Sequence, residues 1–190
     1  MTRKLNFKLI AVLVFFTFST SIFSQNEIKP LKGYSTQIGN LVSMMDDLKV
    51  RVTSSVINLN ESQTDFLFDD EANTIGAMIL HLAATEKYYQ ILTFENRGFN
   101  KEESTEWNTA LSLGDLGREK LIDKPMSYYL KIWDEVRKET KRLLKTKDDK
   151  WFNSKVKGVA MNNHWAWYHV MEHEANHMGQ IRLILKRMKI

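Results

Sequence analysis

Five histidines and no cysteine set the chemistry open to this chain. Four of them, His164, His169, His173 and His177, lie in the stretch NHWAWYHVMEHEANHMGQI; the fifth, His81, lies in IGAMILHLAATEKYY. With no thiolate available, a metal ion must be held by His, Asp or Glu. Residues advance by about 100° on a helix, so His169, His173 and His177 fall at successive steps of about 40° on one side, with His164 turned away. Val170, Ile181, Ile184 and Met188 cluster around His177 and close to His173, whereas His169 lies toward the edge of that apolar arc. In the other stretch Met78, Leu82, Tyr89 and Leu92 flank His81 on its core-facing side. Three imidazoles therefore point inward from two helices.

Any one of these, taken alone, fits a buried, hydrogen-bonded core histidine. Three on converging faces leave several ring nitrogens to satisfy in an apolar interior, where each unpaired group costs about 1–3 kcal/mol. One divalent cation satisfies three nitrogens at once, and histidines at i, i+4 on one helical face form a chelating pair. The expected ligands are His81, His173 and His177. Gln180, on the side of His173, is placed to hydrogen-bond a ligand imidazole or a bound water. His169 is a candidate fourth ligand or proton carrier, although its edge position favours partial exposure. Gly179 faces elsewhere and is expected to permit close helix packing. Glu86, Glu172 and Glu174 are the nearest acids; Glu172 and Glu174 point to different sides of their helix, so at most one serves the site, and no residue reads as a general base. Trp165, Trp167, Tyr168, Tyr88 and Tyr89 either wall a pocket or fill the core.

Four amphipathic helices are expected to position these groups. In the first, Ile38, Leu41, Met45, Leu48, Val52, Val56 and Leu59 recur at steps of three and four. The polar stretch NESQTDFLFDDEAN follows, and Asn73 or Thr74 caps a second helix running to about Phe94. A loop is expected over Glu95 to Lys124, with at most one helical turn around Trp107. Pro125 opens a third helix whose apolar face is Tyr129, Leu130, Trp133, Val136 and Leu143, ended by Asp148 and Asp149. WFNSKVKGVAMNN reads as a connector, and Asn163 as the cap of a fourth helix. The expected fold is all-α, a four-helix bundle over residues 25–190.

Residues 1–24 read as a cleavable signal peptide: Arg3, Lys4 and Lys8, an apolar run from Leu9 to Phe18, then a small polar exit, with cleavage near Ser24. The run is shorter than the roughly 20 residues of a bilayer span, so no stable membrane anchor is expected and the mature protein is expected in the periplasm or the medium. These residues carry three of the basic groups and no acids, so the net charge of +4 falls to +1 without them. The remainder has no basic stripe interleaved with aromatics, which argues against a nucleic-acid partner. The Lys-rich stretch KETKRLLKTKDDK alternates with acids and reads as a solvated face. At this length one substantial core needs no disulfide.

The segment HVMEHEANHMGQI, with HLAATE upstream in a second helix, resembles the DinB-like superfamily of metal-binding four-helix bundles. Its pattern is one histidine of the second helix followed by H-x-x-x-H-x-G-Q in the last, and the likeness runs through nearly the whole mature chain. The resemblance implies metal ligands at His81, His173 and His177 and a divalent ion, commonly zinc or nickel, with an open coordination position. It also implies a homodimer in many members, and thiol-dependent S-transfer or isomerisation in some. Three functions stay open at this point: a metal-dependent hydrolase or thiol transferase with an unidentified small-molecule substrate, a non-catalytic bundle that the ion stabilises, and a metal-free interaction domain.

Overall fold

The computed structural model describes residues 27–188. The expected signal peptide and its cleavage point lie outside the described residues. Eight helices follow in chain order: α1 (Thr36–Val56), α2 (Glu61–Thr64), α3 (Ile75–Glu95), α4 (Lys101–Ser112), α5 (Gly114–Lys120), α6 (Met126–Leu144), α7 (Asp149–Asn153) and α8 (Asn163–Arg187). The long ones, α1, α3, α6 and α8, are the expected four. Among the described residues the extended pairing is limited to a single bridge between Lys155 and Asn162.

Each long helix buries the face its sequence marks. In α1 these are Ile38, Leu41, Val42, Met45, Leu48, Val52 and Val56, and in α6 they are Tyr129, Leu130, Trp133 and Val136. α3 packs against α6, α8 and α4 together, so it buries residues on most of its circumference. Thr74 caps it by accepting from the Ala77 amide, and it stops at Asn96, which sits in the left-handed region at φ 55°. α1 packs on α8 and α6, which closes the bundle. Gly76 permits a close approach of α3 to α6, because a Cβ there would stand 2.6 Å from Tyr129 Cε2 and 2.8 Å from Thr64 Cγ2. No helix among the described residues is long and apolar enough to cross a membrane.

The chain departs from expectation mainly between the long helices. The anticipated loop from Glu95 to Lys124 contains α4 and α5. Asn100 and Glu103 form a capping box in which the Glu103 amide donates to Asn100 Oδ1 and the Asn100 amide to Glu103 Oε2, both at 2.8 Å. Trp107 and Ala110 supply the buried face of α4 against α3. Asp148 does not end α6, which stops at Leu144; its carboxylate caps α7 inside the expected connector. Asn162, not Asn163, caps α8 by accepting from the Trp165 amide at 2.8 Å. Asn163 is buried and its side-chain amide donates to the carbonyls of Trp151 and Ser154. Gly179 is solvent-exposed with nothing within 4 Å of where a Cβ would sit, so it mediates no close packing.

Candidate metal centre

α3 carries His81 and α8 carries His173 and His177 into the interface between the two helices. One nitrogen from each of the three rings lies within 4.8 Å of the others. His173 Nε2 is 2.7 Å from His81 Nε2, and the ring centroids of the trio stand 4.5–4.9 Å apart. All three are half-buried. The apolar shell is the one the helical angles indicate: Met78, Leu82, Val170, Ile181 and Ile184 are buried.

The other ring nitrogen of His81 has a fixed partner. Its Nδ1 donates to the Ala110 carbonyl at 2.8 Å. That carbonyl is one of the last four of α4, which have no partner within their own helix. A donating Nδ1 puts the proton on that nitrogen and leaves the Nε2 lone pair of His81 facing His173. The segment expected to be a loop therefore orients the His81 ring.

All three rings are held neutral at ordinary pH. Burial, then the neighbouring His177, His81 and His169, push His173 down to about 3. Burial and His81 push His177 down to about 4, with the Gln180 side chain opposing. Burial also lowers His81, against the pull of the Ala110 and Leu111 backbone. Neutral imidazoles are the form that binds a metal. His177 Nδ1 is buried without a hydrogen-bond partner. An orphaned buried nitrogen and an all-imidazole donor set fit a divalent transition-metal ion, not calcium or magnesium, which take oxygen ligands.

His169 stands outside this donor set. Its ring lies parallel on Trp165, with centroids 5.2 Å apart and 4° between planes, and its centroid is 5.7 Å from both His173 and Tyr89. Its Nδ1 is 3.4 Å from the Glu172 carboxylate. Gln180 is exposed on the His177 side, so its reach is to His177. His164 stacks on Phe152 at 4.3 Å, away from the trio. Trp165 and Tyr168 are exposed and Tyr88 and Tyr89 half-buried, whereas Trp167 is wholly buried in the core.

The remaining acids have other partners. Glu174 and Glu86 are buried and both accept from Arg137 of α6. Sequence alone joins neither to an ion cluster, although Arg137 recurs with Trp133, Thr140 and Leu144 at the four-three-four spacing of a core face.

A family model described as mycothiol-S-transferase matches residues 40–188. Among solved structures, the chain is similar to YfiT from Bacillus subtilis, described as a probable metal-dependent hydrolase with an unusual four-helix bundle topology. The sequences are 18% identical, the likeness covers 85% of this chain and 94% of that one, and the TM-score is 0.56. No curated protein matches the chain.

Proposed function

We propose that this chain, which belongs to the mycothiol-S-transferase family within the DinB-like superfamily, holds one divalent ion through His81, His173 and His177 and uses it to activate a nucleophile against a small-molecule substrate. The observation that carries this reading is the convergence of three neutral ring nitrogens within 4.8 Å at an apolar helix interface. An ion bound there supplies Lewis acidity, which lowers the pKa of a bound nucleophile toward neutrality and polarises the electrophile.

The chain's own residues do the rest. The Ala110 carbonyl fixes the tautomer and plane of His81. The buried wall of Met78, Leu82, Ile181 and Ile184 excludes water from the inner side of the trio. The half-exposed rim of His169, Trp165 and Tyr89 leaves the outer side for substrate. Three protein donors, all neutral, match the count at catalytic zinc sites, whereas structural sites close with four. Zinc or nickel is the proposed ion.

Water is the nucleophile in the first reading, which makes the protein a hydrolase; the description of the solved neighbour is consistent with it. A second reading, transfer to a small thiol, is favoured by the description of the family model. Export after cleavage near Ser24, proposed from the order of residues in the first 24, favours water, because small reduced thiols belong to the cytosol. N-terminal sequencing of the protein from periplasm or medium tests export; recovery of Met1 in the membrane fraction overturns it. To test the site, cobalt is loaded in place of the native ion and its visible absorption followed while azide or a small thiol is added. A shift with azide supports an open position, and a sulfur charge-transfer band with thiol supports the second reading. No change with either, at any pH at which the protein stays folded, replaces both with a purely structural ion.

A further inference from the structure

Away from the histidines, one side chain touches all four long helices. Arg137 of α6 is 4% exposed. Its Nε donates to Glu86 Oε1 of α3 at 2.8 Å and its Nη2 to Glu86 Oε2 at 3.1 Å. The same Nη2 donates to the Glu174 carboxylate of α8, and Nη1 donates to the Met45 carbonyl of α1 at 2.8 Å. Trp133 Nε1, one turn earlier on α6, donates to Glu86 Oε2 at 3.1 Å. Glu86 and Glu174 are 0% and 1% exposed. Burial opposes the charge on Arg137, but the carboxylates of Glu86 and Glu174 outweigh it and hold the guanidinium protonated.

The place of this cluster in the chain matters more than its strength. Glu174 follows His173 directly on α8, and Glu86 lies five residues beyond His81 on α3. The two carboxylates that Arg137 gathers thus come from the two helices that carry the metal ligands, one beside a ligand and the other within two turns of one. Buried ion clusters are poor sources of net stability, because desolvating the charges cancels much of their attraction. Their directional hydrogen bonds, by contrast, fix register, and a planar guanidinium with its fork of donors does so in a way that an ammonium does not. Apolar packing between α3 and α8 tolerates small slides; a fork shared between Glu86 and Glu174 does not.

We infer that Arg137 is a positioning residue for the metal centre: by holding Glu86 and Glu174 together it sets the spacing and register of α3 and α8 at which His81, His173 and His177 share one ion. The inference rests on the metal reading above, so the experiment separates the two. Cobalt is titrated into the full chain and into Arg137→Lys, Glu174→Gln and the triple variant Glu86→Gln/Arg137→Met/Glu174→Gln, with Arg142→Lys as control. Arg142 pairs with Glu139 on the exposed side of the same helix. Folding of each is checked by circular dichroism.

The expected result is a loss of cobalt affinity of about ten-fold or more in Arg137→Lys and Glu174→Gln, the range typical when groups that orient ligands are removed. A changed visible spectrum of the loaded protein accompanies it, and Arg142→Lys changes neither. The triple variant leaves no unpaired buried charge, so it decides the matter if a single variant does not fold; it too should bind cobalt weakly with an altered spectrum. Wild-type affinity and spectrum in the variants that fold overturn the positioning role while leaving the metal reading intact. A wild-type chain that does not bind cobalt overturns both.

Discussion

His173 Nε2 faces His81 Nε2 at 2.7 Å across the interface of α3 and α8, between residues 92 positions apart in the chain. With the proton of His81 committed to the Ala110 carbonyl, these two nitrogens either share the one remaining hydrogen of His173 or give their lone pairs to a cation. The pair ties the tertiary packing of the bundle directly to its chemistry.

Replacing His81, His173 or His177 by Ala removes one of three donors, and each variant is expected to lose stoichiometric metal. His169→Ala and His164→Ala should retain it, because one ring lies against Trp165 at the rim and the other against Phe152. Elemental analysis of the five variants checks this. Loss of metal in His164→Ala equal to that in His173→Ala would show the assignment to be wrong.

The metal-free protein should lose stability as pH falls below about 6.5, the ordinary histidine value. His173 is held down to about 3 and His177 to about 4, and His81 is lowered as well. In that window the unfolded chain takes up protons that the folded chain refuses, so stability rises with pH and levels off above about 7. Glu103, held down to about 2 chiefly by Arg97, follows the same logic at lower pH: its contribution is lost only as pH falls below its ordinary value of 4.5. Burial pushes Glu174 up to about 8, which opposes this slope over the same window, so urea unfolding of metal-free Glu174→Gln between pH 5 and 7.5 is what reads the histidines. A flat profile there contradicts their burial as neutral rings.

Asn100→Ala removes the side chain that caps α4, and a loss of about 1 kcal/mol is expected. Since Ala110 near the end of that helix orients His81, metal affinity should fall together with stability. Urea unfolding and cobalt titration on the same variant test it; unchanged values for both contradict the role given to α4.

Gly76→Ala should destabilise by about 1–3 kcal/mol, the usual cost of overpacking, because the added methyl would meet the Tyr129 ring and Thr64. Gly179→Ala adds its methyl into open space and gains helix propensity, so it should be neutral or stabilising. Equal effects in the two variants, measured as thermal midpoints, would contradict the packing described between α3 and α6.

The four long helices and the inward-facing trio were legible because both depend on one period: apolar residues at steps of three and four mark the buried face, and a histidine among them must share it. α4 escaped because only Trp107 and Ala110 of its twelve residues are buried, too few to show a period, while its real signal was local, the Asn100 to Glu103 capping box. Asn162 and Asn163 are the same residue type in succession, so composition does not say which caps and which is buried. Arg137 stands just before the Lys-rich stretch that reads as solvated, and no spacing within its own helix names its partners. Its partners Glu86 and Glu174 come from other helices, and the pairing exists only once α3, α6 and α8 are packed. Gly179 differs from expectation for a related reason: whether a glycine serves close packing depends on what lies opposite it.

His81, His173 and His177 are proposed to hold one divalent ion between them. The most direct measurement is elemental analysis of the protein purified without a histidine tag, set beside His173→Ala prepared in the same way. Close to one zinc or nickel per wild-type chain is expected, and none in the variant. A wild-type protein free of metal, unable to take up zinc, nickel or cobalt when folded, would contradict it and leave the three imidazoles as a hydrogen-bonded feature of the core.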